Sequence, residues 1–194
     1  MWPRCIGCAA CTPELDPEAA ARLHSFATAT VAGAARGDRM PAAPPDRSLQ
    51  VKAGVFVTLR RGGQLRGCIG HIEADTPLAR ITGAMARAAA LDDPRFPPLG
   101  PTELDGLDVE LSVLDAPRPG TAEALVPGRD GVIVSRGRAR GVLLPQVADE
   151  WGWGAAELLA GACRKAGLAP DAWRRPGAVI ELFRVQIITA PDRP

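Results

Sequence analysis

Hydrophobic and polar positions change period several times along this chain, and each change marks an element. Over residues 13–36 apolar side chains recur at helical spacing, with Leu23, Phe26, Thr30 and Val31 on one face. Asp16 is placed to cap that helix, and Pro17 suits its first turn. The run GDRMPAAPPDRS over 37–48 reads as a proline-rich linker. The period then drops to two: Val55, Val57 and Leu59 alternate with Phe56, Thr58 and Arg60, as in a strand. Arg61-Gly62-Gly63-Gln64 is a hairpin turn, so LRGCIG over 65–70 is the returning strand.

Helical period resumes after Thr76-Pro77, with Leu78, Ile81, Met85 and Ala88 on one face. The stretch DDPRFPPLGPTEL over 92–104 holds too much proline to be regular. In LDVELSVL, 107–114, Leu107, Val109, Leu111 and Val113 face one side and Asp108, Glu110 and Ser112 the other. Residues 131–145 form a second hairpin. A helical stretch runs from about Pro145 to Lys165, interrupted by Gly152 and Gly154, and residues 178–190 make one long final strand. Hairpins separated by helices predict an α+β protein with a largely antiparallel sheet. No internal repeat is visible, and the length suits one substantial domain or two small lobes sharing a core.

Composition changes this picture little. The chain is 46% hydrophobic and 23% charged, with a net charge of +1, so it carries no strong electrostatic footprint for nucleic acid or an anionic membrane. All but Lys52 and Lys165 of its 23 basic residues are arginine, a bias that points to base composition. No apolar run approaches the roughly 20 residues of a membrane span, and the N-terminus lacks the long apolar centre of a signal peptide. The expected location is the cytoplasm, where cysteines read as metal ligands, reactive groups or core residues before they read as disulfides.

Candidate chemistry centres on LRGCIG. In a strand Arg66 and Cys68 point the same way, roughly 7 Å apart, and a guanidinium beside the sulfur favours the nucleophilic thiolate. Gly67 and Gly70 remove side chains and admit another group to the backbone or sulfur. The plain alternative is a small hydrophobe buried in a strand. Cys163, within the last helix, reads as structural.

The segments GVFVTLRRGGQLRGCIG, DDPRFPPL, LDVELSVL, GVLLPQVADEWGW and CRKAGL occur in this order and together resemble the AMMECR domain family, in its bacterial and archaeal form within the AmmeMemoRadiSam system. LRGCIG is the hallmark, and the match covers roughly residues 13–190. That divides the chain into a cysteine-containing tail over 1–12, the domain over 13–190 and a tail over 191–194. The resemblance implies a two-lobed α+β fold with a mainly antiparallel sheet flanked by helices. It implies as partners a Memo-type protein and a radical S-adenosylmethionine enzyme, but no established reaction.

Other residues that match the family pattern are Arg95, Glu110, Gln146, Glu150 and Trp153. Gln146 and Glu150 are four apart and share a helix face; Trp153 joins that face if the helix survives its glycines. We expect a cleft in which Cys68, Trp153, Glu110 and Glu150 act in catalysis while Arg66, Arg95 and Gln146 bind substrate. Against this stand an Arg95–Glu110 structural ion pair and a Trp153 that merely anchors the core.

Cys5, Cys8 and Cys11 have the C-x2-C-x2-C spacing of three ligands to an iron–sulfur cluster. They precede the region of resemblance, and a fourth ligand is missing nearby; the alternative is a tail with incidental cysteines. Three functions compete. In the first, the partner radical enzyme oxidises Trp153, and the resulting protein-derived radical on modified Trp153 converts Cys68 to a thiyl that acts on a small molecule. The absence of Tyr among the residues leaves Trp and Cys as the most easily oxidised side chains. In the second, Cys68 is a nucleophile with Glu110 or Glu150 as base. In the third, the protein is a non-catalytic adaptor for a Memo-type partner.

Overall fold

A computed structural model describes residues 14–190, which hold four α-helices and two four-stranded antiparallel sheets. This is the expected α+β class. The described residues divide into two compact units, one of residues 14–116 with 186–190 and the other of residues 117–185.

The first unit begins with helix α1, Pro17–Arg36. Asp16 caps it as its position suggests, its carboxylate accepting from the Ala19 N–H at 2.8 Å. Gly37 closes it at φ 75°, a left-handed conformation that costs glycine little. Strands β1, Gly54–Arg61, and β2, Gln64–His71, form the predicted hairpin. Helix α2, Leu78–Leu91, follows, then β3, Leu107–Leu114. The sheet order is β2-β1-β3-β8, the last strand being Val185–Ile188. Val55, Val57, Leu59, Val109, Leu111 and Val113 all turn to the side of the sheet that packs on α1 and α2. That burial is what the period-two pattern encoded, and it drives this half of the fold. Phe56, Thr58, Cys68 and Glu110 consequently fall on the opposite side.

The two glycines of LRGCIG explain how β2 fits. A Cβ on Gly67 would collide with the Ala89 carbonyl of α2, and one on Gly70 with the Phe56 ring. Their missing side chains therefore let a helix and an aromatic ring lie against the strand. That is a packing role, in addition to the access to sulfur that the sequence suggests.

The second unit holds β4, Arg118–Pro119; β5, Gly131–Arg136; β6, Ala139–Leu143; and β7, Ala178–Phe183, in the order β4-β7-β5-β6. Helix α4, Ala155–Lys165, covers one face. Cys163 lies in that core and is fully buried, the structural role expected of it. Asp130, also fully buried, accepts hydrogen bonds from Val126 N–H and from the Arg129 guanidinium, which pins the turn before β5.

One expectation is met and another changes. The helical stretch over 145–165 is interrupted at its glycines, giving α3 over Gln146–Trp151 and α4, and Gly152 at φ 63° ends the first. The Trp153 N–H then bonds back to the Ala148 carbonyl at 2.9 Å, so Trp153 does not continue the face shared by Gln146 and Glu150. The long strand over 178–190 is also two: β7 belongs to one sheet and β8 to the other, with Arg184 between them. The short β4 contains a proline, which sequence patterns count against strand.

Candidate functional site

Strand β2 is an edge of its sheet, and an edge must satisfy its outward backbone groups elsewhere. At Cys68 the irregular segment 92–104 does this with one carboxylate. Asp93 Oδ2 accepts the Cys68 N–H at 2.8 Å. Asp93 is almost completely buried, and it also accepts from Arg95, through Nε at 3.0 Å, Nη2 at 2.7 Å and the backbone N–H at 3.1 Å. Arg95 Nη2 in turn donates to the Cys68 carbonyl at 3.2 Å. Asp93 and Arg95 thus bracket the Cys68 peptide as a missing neighbouring strand would.

These bonds favour the charged form of Asp93. The Arg95 guanidinium, then the Cys68 and Arg95 backbone N–H groups, overcome its desolvation and hold its carboxyl well below the usual range. Arg95 is raised above its ordinary value. Its bonds to Asp93 come first, against the cost of burial, and the charge of the Cys68 side chain and a hydrogen bond to it contribute further.

Because the Cys68 backbone groups point outward, Cys68 and its partner Thr58 on β1 form the close, non-hydrogen-bonded kind of pair. The Thr58 hydroxyl, itself largely buried, donates to Cys68 Sγ at 3.4 Å. Thr58 is also in register with Glu110 on β3. Cys68, Thr58 and Glu110 therefore stand in one row across three strands, with Glu110 roughly 10 Å from Cys68 by Cα spacing. The sulfur is half-buried and takes the Thr58 hydroxyl, while the Arg95 guanidinium bonds the carbonyl of the same residue.

Arg66 is the residue that the register shift between the Leu59–Gly67 and Arg60–Leu65 pairs leaves without a cross-strand partner, which breaks the expected alternation with Cys68, and it is engaged elsewhere. Its Nε and Nη2 bond both oxygens of Glu103 at 2.7 and 2.9 Å, and Nη2 also donates to the Pro97 carbonyl at 3.0 Å. This pairing, followed by the Gly100 N–H, lowers Glu103 to about 2. The Phe96 ring lies between the two guanidinium groups, 5.8 Å from Arg66 and 5.6 Å from Arg95. The guanidinium that meets Cys68 is accordingly that of Arg95, while Arg66 fastens the 92–104 segment to the strand. The ion-pair partner of Arg95 is Asp93.

The second unit carries the other candidates. Gln146 and Glu150 are four apart on α3. Trp153 is half-buried against the Gly161 backbone of α4, with the Arg164 guanidinium 5.7 Å over its ring and the exposed Trp151 ring 5.7 Å away. Cys5, Cys8 and Cys11 lie outside the described residues. Among the described residues no group of three or more side chains is arranged to hold a metal ion, and no helix is long and apolar enough to cross a membrane. His24 bonds the Val109 carbonyl at 2.8 Å, and His71 pairs with Asp75 at 2.9 Å.

Sequence reasoning missed Asp93 and Thr58. Asp93-Pro94 carried a partial signal, since an Asp before proline commonly accepts from the N–H two residues on, as Asp93 does from Arg95. Thr58 left no signal beyond its place opposite Cys68 in the hairpin.

The AMMECR1 family profile matches residues 24–188. A protein of Methanothermobacter thermautotrophicus is 49% identical over 156 residues, covering 77% of this chain and 81% of its own length. One of Thermofilum pendens is 47% identical over 161 residues, covering 74% and 75%. The crystal structure of uncharacterized protein PH0010 from Pyrococcus horikoshii is similar with a TM-score of 0.85 at 38% identity, covering 89% of this chain and 92% of that one.

Proposed function

This chain belongs to the AMMECR1 family, and we propose that it is an enzyme acting on a small molecule through the thiol of Cys68. One observation carries this reading: the half-buried Cys68 sulfur takes the Thr58 hydroxyl, and the Arg95 guanidinium bonds the peptide of the same residue. A sulfur that is only half-buried can reach a small substrate, and a thiol is the strongest nucleophile among neutral-side-chain groups. Cys163 has only a core around it. In this reading Glu110, in the same cross-strand row, works as a base on the substrate rather than on the sulfur, given the two strand spacings between them.

The test compares wild-type protein with Cys68→Ser on the small-molecule fraction of a cell extract, followed by mass spectrometry. Compounds consumed by the wild type alone support the proposal. Equal consumption by Cys68→Ser refutes it, since an alcohol is a poor substitute for a thiol in this chemistry.

A second reading rests on Trp153. Its stacking with exposed Trp151 and its glycine-flanked position leave an approach for a modifying enzyme. We propose that the radical S-adenosylmethionine enzyme and Memo-type protein implied by the family resemblance act with this protein in the cytoplasm. There the first would oxidise Trp153 to a form able to store a radical, Glu150 and Gln146 serving that chemistry. An iron–sulfur cluster at Cys5, Cys8 and Cys11 belongs to this reading as its electron-transfer element. Peptide masses from protein made with those partners should show added oxygen at Trp153. An unmodified Trp153 in active protein, or full activity in Trp153→Phe, removes this reading and leaves the nucleophile. Partner binding by a wild-type protein that consumes no compound would favour the adaptor.

A further inference from the structure

The Arg95 guanidinium is fixed on one edge only. Asp93 takes Nε and Nη2, and the Cys68 carbonyl takes Nη2 again. Nη1 donates to no protein acceptor among the described residues, and the side chain is 53% exposed while that of Asp93 is 2% exposed. Phe96 lies beneath the group and limits its swing. A guanidinium so held has its Nε and both Nη2 hydrogens in use and presents the two Nη1 hydrogens as a pre-set, charged donor edge on the group that bonds the Cys68 peptide, and such a donor binds a carboxylate oxygen well. Arg66 offers no equivalent: Glu103 takes it from two directions and its side chain is 13% exposed.

We propose that this edge of Arg95 is the receptor for the carboxylate of a short organic acid, whose reactive carbon is thereby delivered to Cys68 Sγ. The inference rests on the reading of Cys68 as the working thiol and adds the class of its substrate. Arg95 Nη2 is 3.2 Å from the Cys68 carbonyl oxygen, so the receptor and the thiol act around one residue, and a short acid is the class that fits.

Iodoacetate and iodoacetamide separate the possibilities without knowledge of the natural substrate. In both, Cys68 sulfur forms a bond to the CH2 carbon, the C–I bond breaks, iodide leaves with the bonding pair, and the thiol proton goes to solvent. A free thiolate favours the amide, because the acid reagent repels it. At Cys68 the ratio of acid to amide rates, read from the Cys68 peptide by mass spectrometry, should exceed that of a free thiol such as glutathione by about tenfold, the worth of one charge-assisted bond. Arg95→Gln should return the ratio to the free-thiol value, and Arg95→Lys should restore part of it.

Should Arg95→Gln fail to fold, the wild type still decides. Acetate and propionate should slow iodoacetamide labelling of Cys68, and acetamide and propionamide at equal concentration should not. Normal iodoacetamide labelling with a free-thiol ratio and no carboxylate protection overturns the receptor while leaving the reading of Cys68 intact. Protection of Cys68 from both reagents in folded protein, with labelling on denaturation, overturns that reading and the receptor with it.

Discussion

A single carboxylate organises the site. Asp93 accepts four hydrogen bonds, one from the backbone of the candidate nucleophile and three from Arg95. Asn can replace its shape but not its charge. We expect Asp93→Asn to cost about 2 kcal/mol, the scale of bonds to an ionised group discounted for the exposure of Arg95, and to blunt any carboxylate preference at Cys68. Chemical denaturation at neutral pH reads the first effect. The folded state depresses the carboxyls of both Asp93 and Glu103. Their contribution is fully present above the unfolded value near pH 4 and is lost as pH falls through the folded values, to about 2 for Glu103. The wild type should therefore lose stability steadily from pH 5 to 2, and Asp93→Asn should show a shallower slope over the same range. Cys68 stands out in the sequence as a candidate because LRGCIG is compact. Asp93 and Thr58 were not, because their roles come from contacts made across 25 and 10 residues of sequence.

Elements were read well where one face is buried or a glycine breaks the pattern, and poorly where a change of sheet intervenes. The period-two runs at 55–59 and 107–113 became β1 and β3 because all their inward residues meet α1 and α2. The apolar run over 178–190 shows no break, since β7 and β8 are each half-buried strands of ordinary composition and only their partners differ. The helix break at Gly152 was hinted by composition, but its position depends on φ 63° at that residue. Gly152→Ala forces a side chain into the left-handed region and should destabilise the protein by about 1 kcal/mol. Ala at the neighbouring exposed position, Trp151→Ala, does not touch that dihedral and serves as the comparison. Equal melting temperatures for Gly152→Ala and wild type would show that the left-handed cap carries no strain.

Across the whole molecule, family membership and the α+β class were both legible, because the matching segments carry the buried patterns as well as the hallmark. The division into two compact units rests on which strands pair, and pairing between distant strands leaves little trace in a single sequence. The family match begins at residue 24, and α1 already supplies the buried Ala19, Ala20 and Leu23. A chain beginning at Thr12 retains all of these, so it should melt cooperatively within a few degrees of the full chain. A large fall, or the loss of stoichiometric iron together with activity, would assign Cys5, Cys8 and Cys11 a working role.

The central claim is that Cys68 is the working thiol, and the most direct measurement is peptide-resolved alkylation of the native protein by iodoacetamide. Cys68 should be labelled far faster than Cys163, which the second core encloses completely, and denaturation should equalise the two. Equal slow labelling of both in the folded protein would contradict the account, because it would make Cys68 one more buried side chain of its sheet.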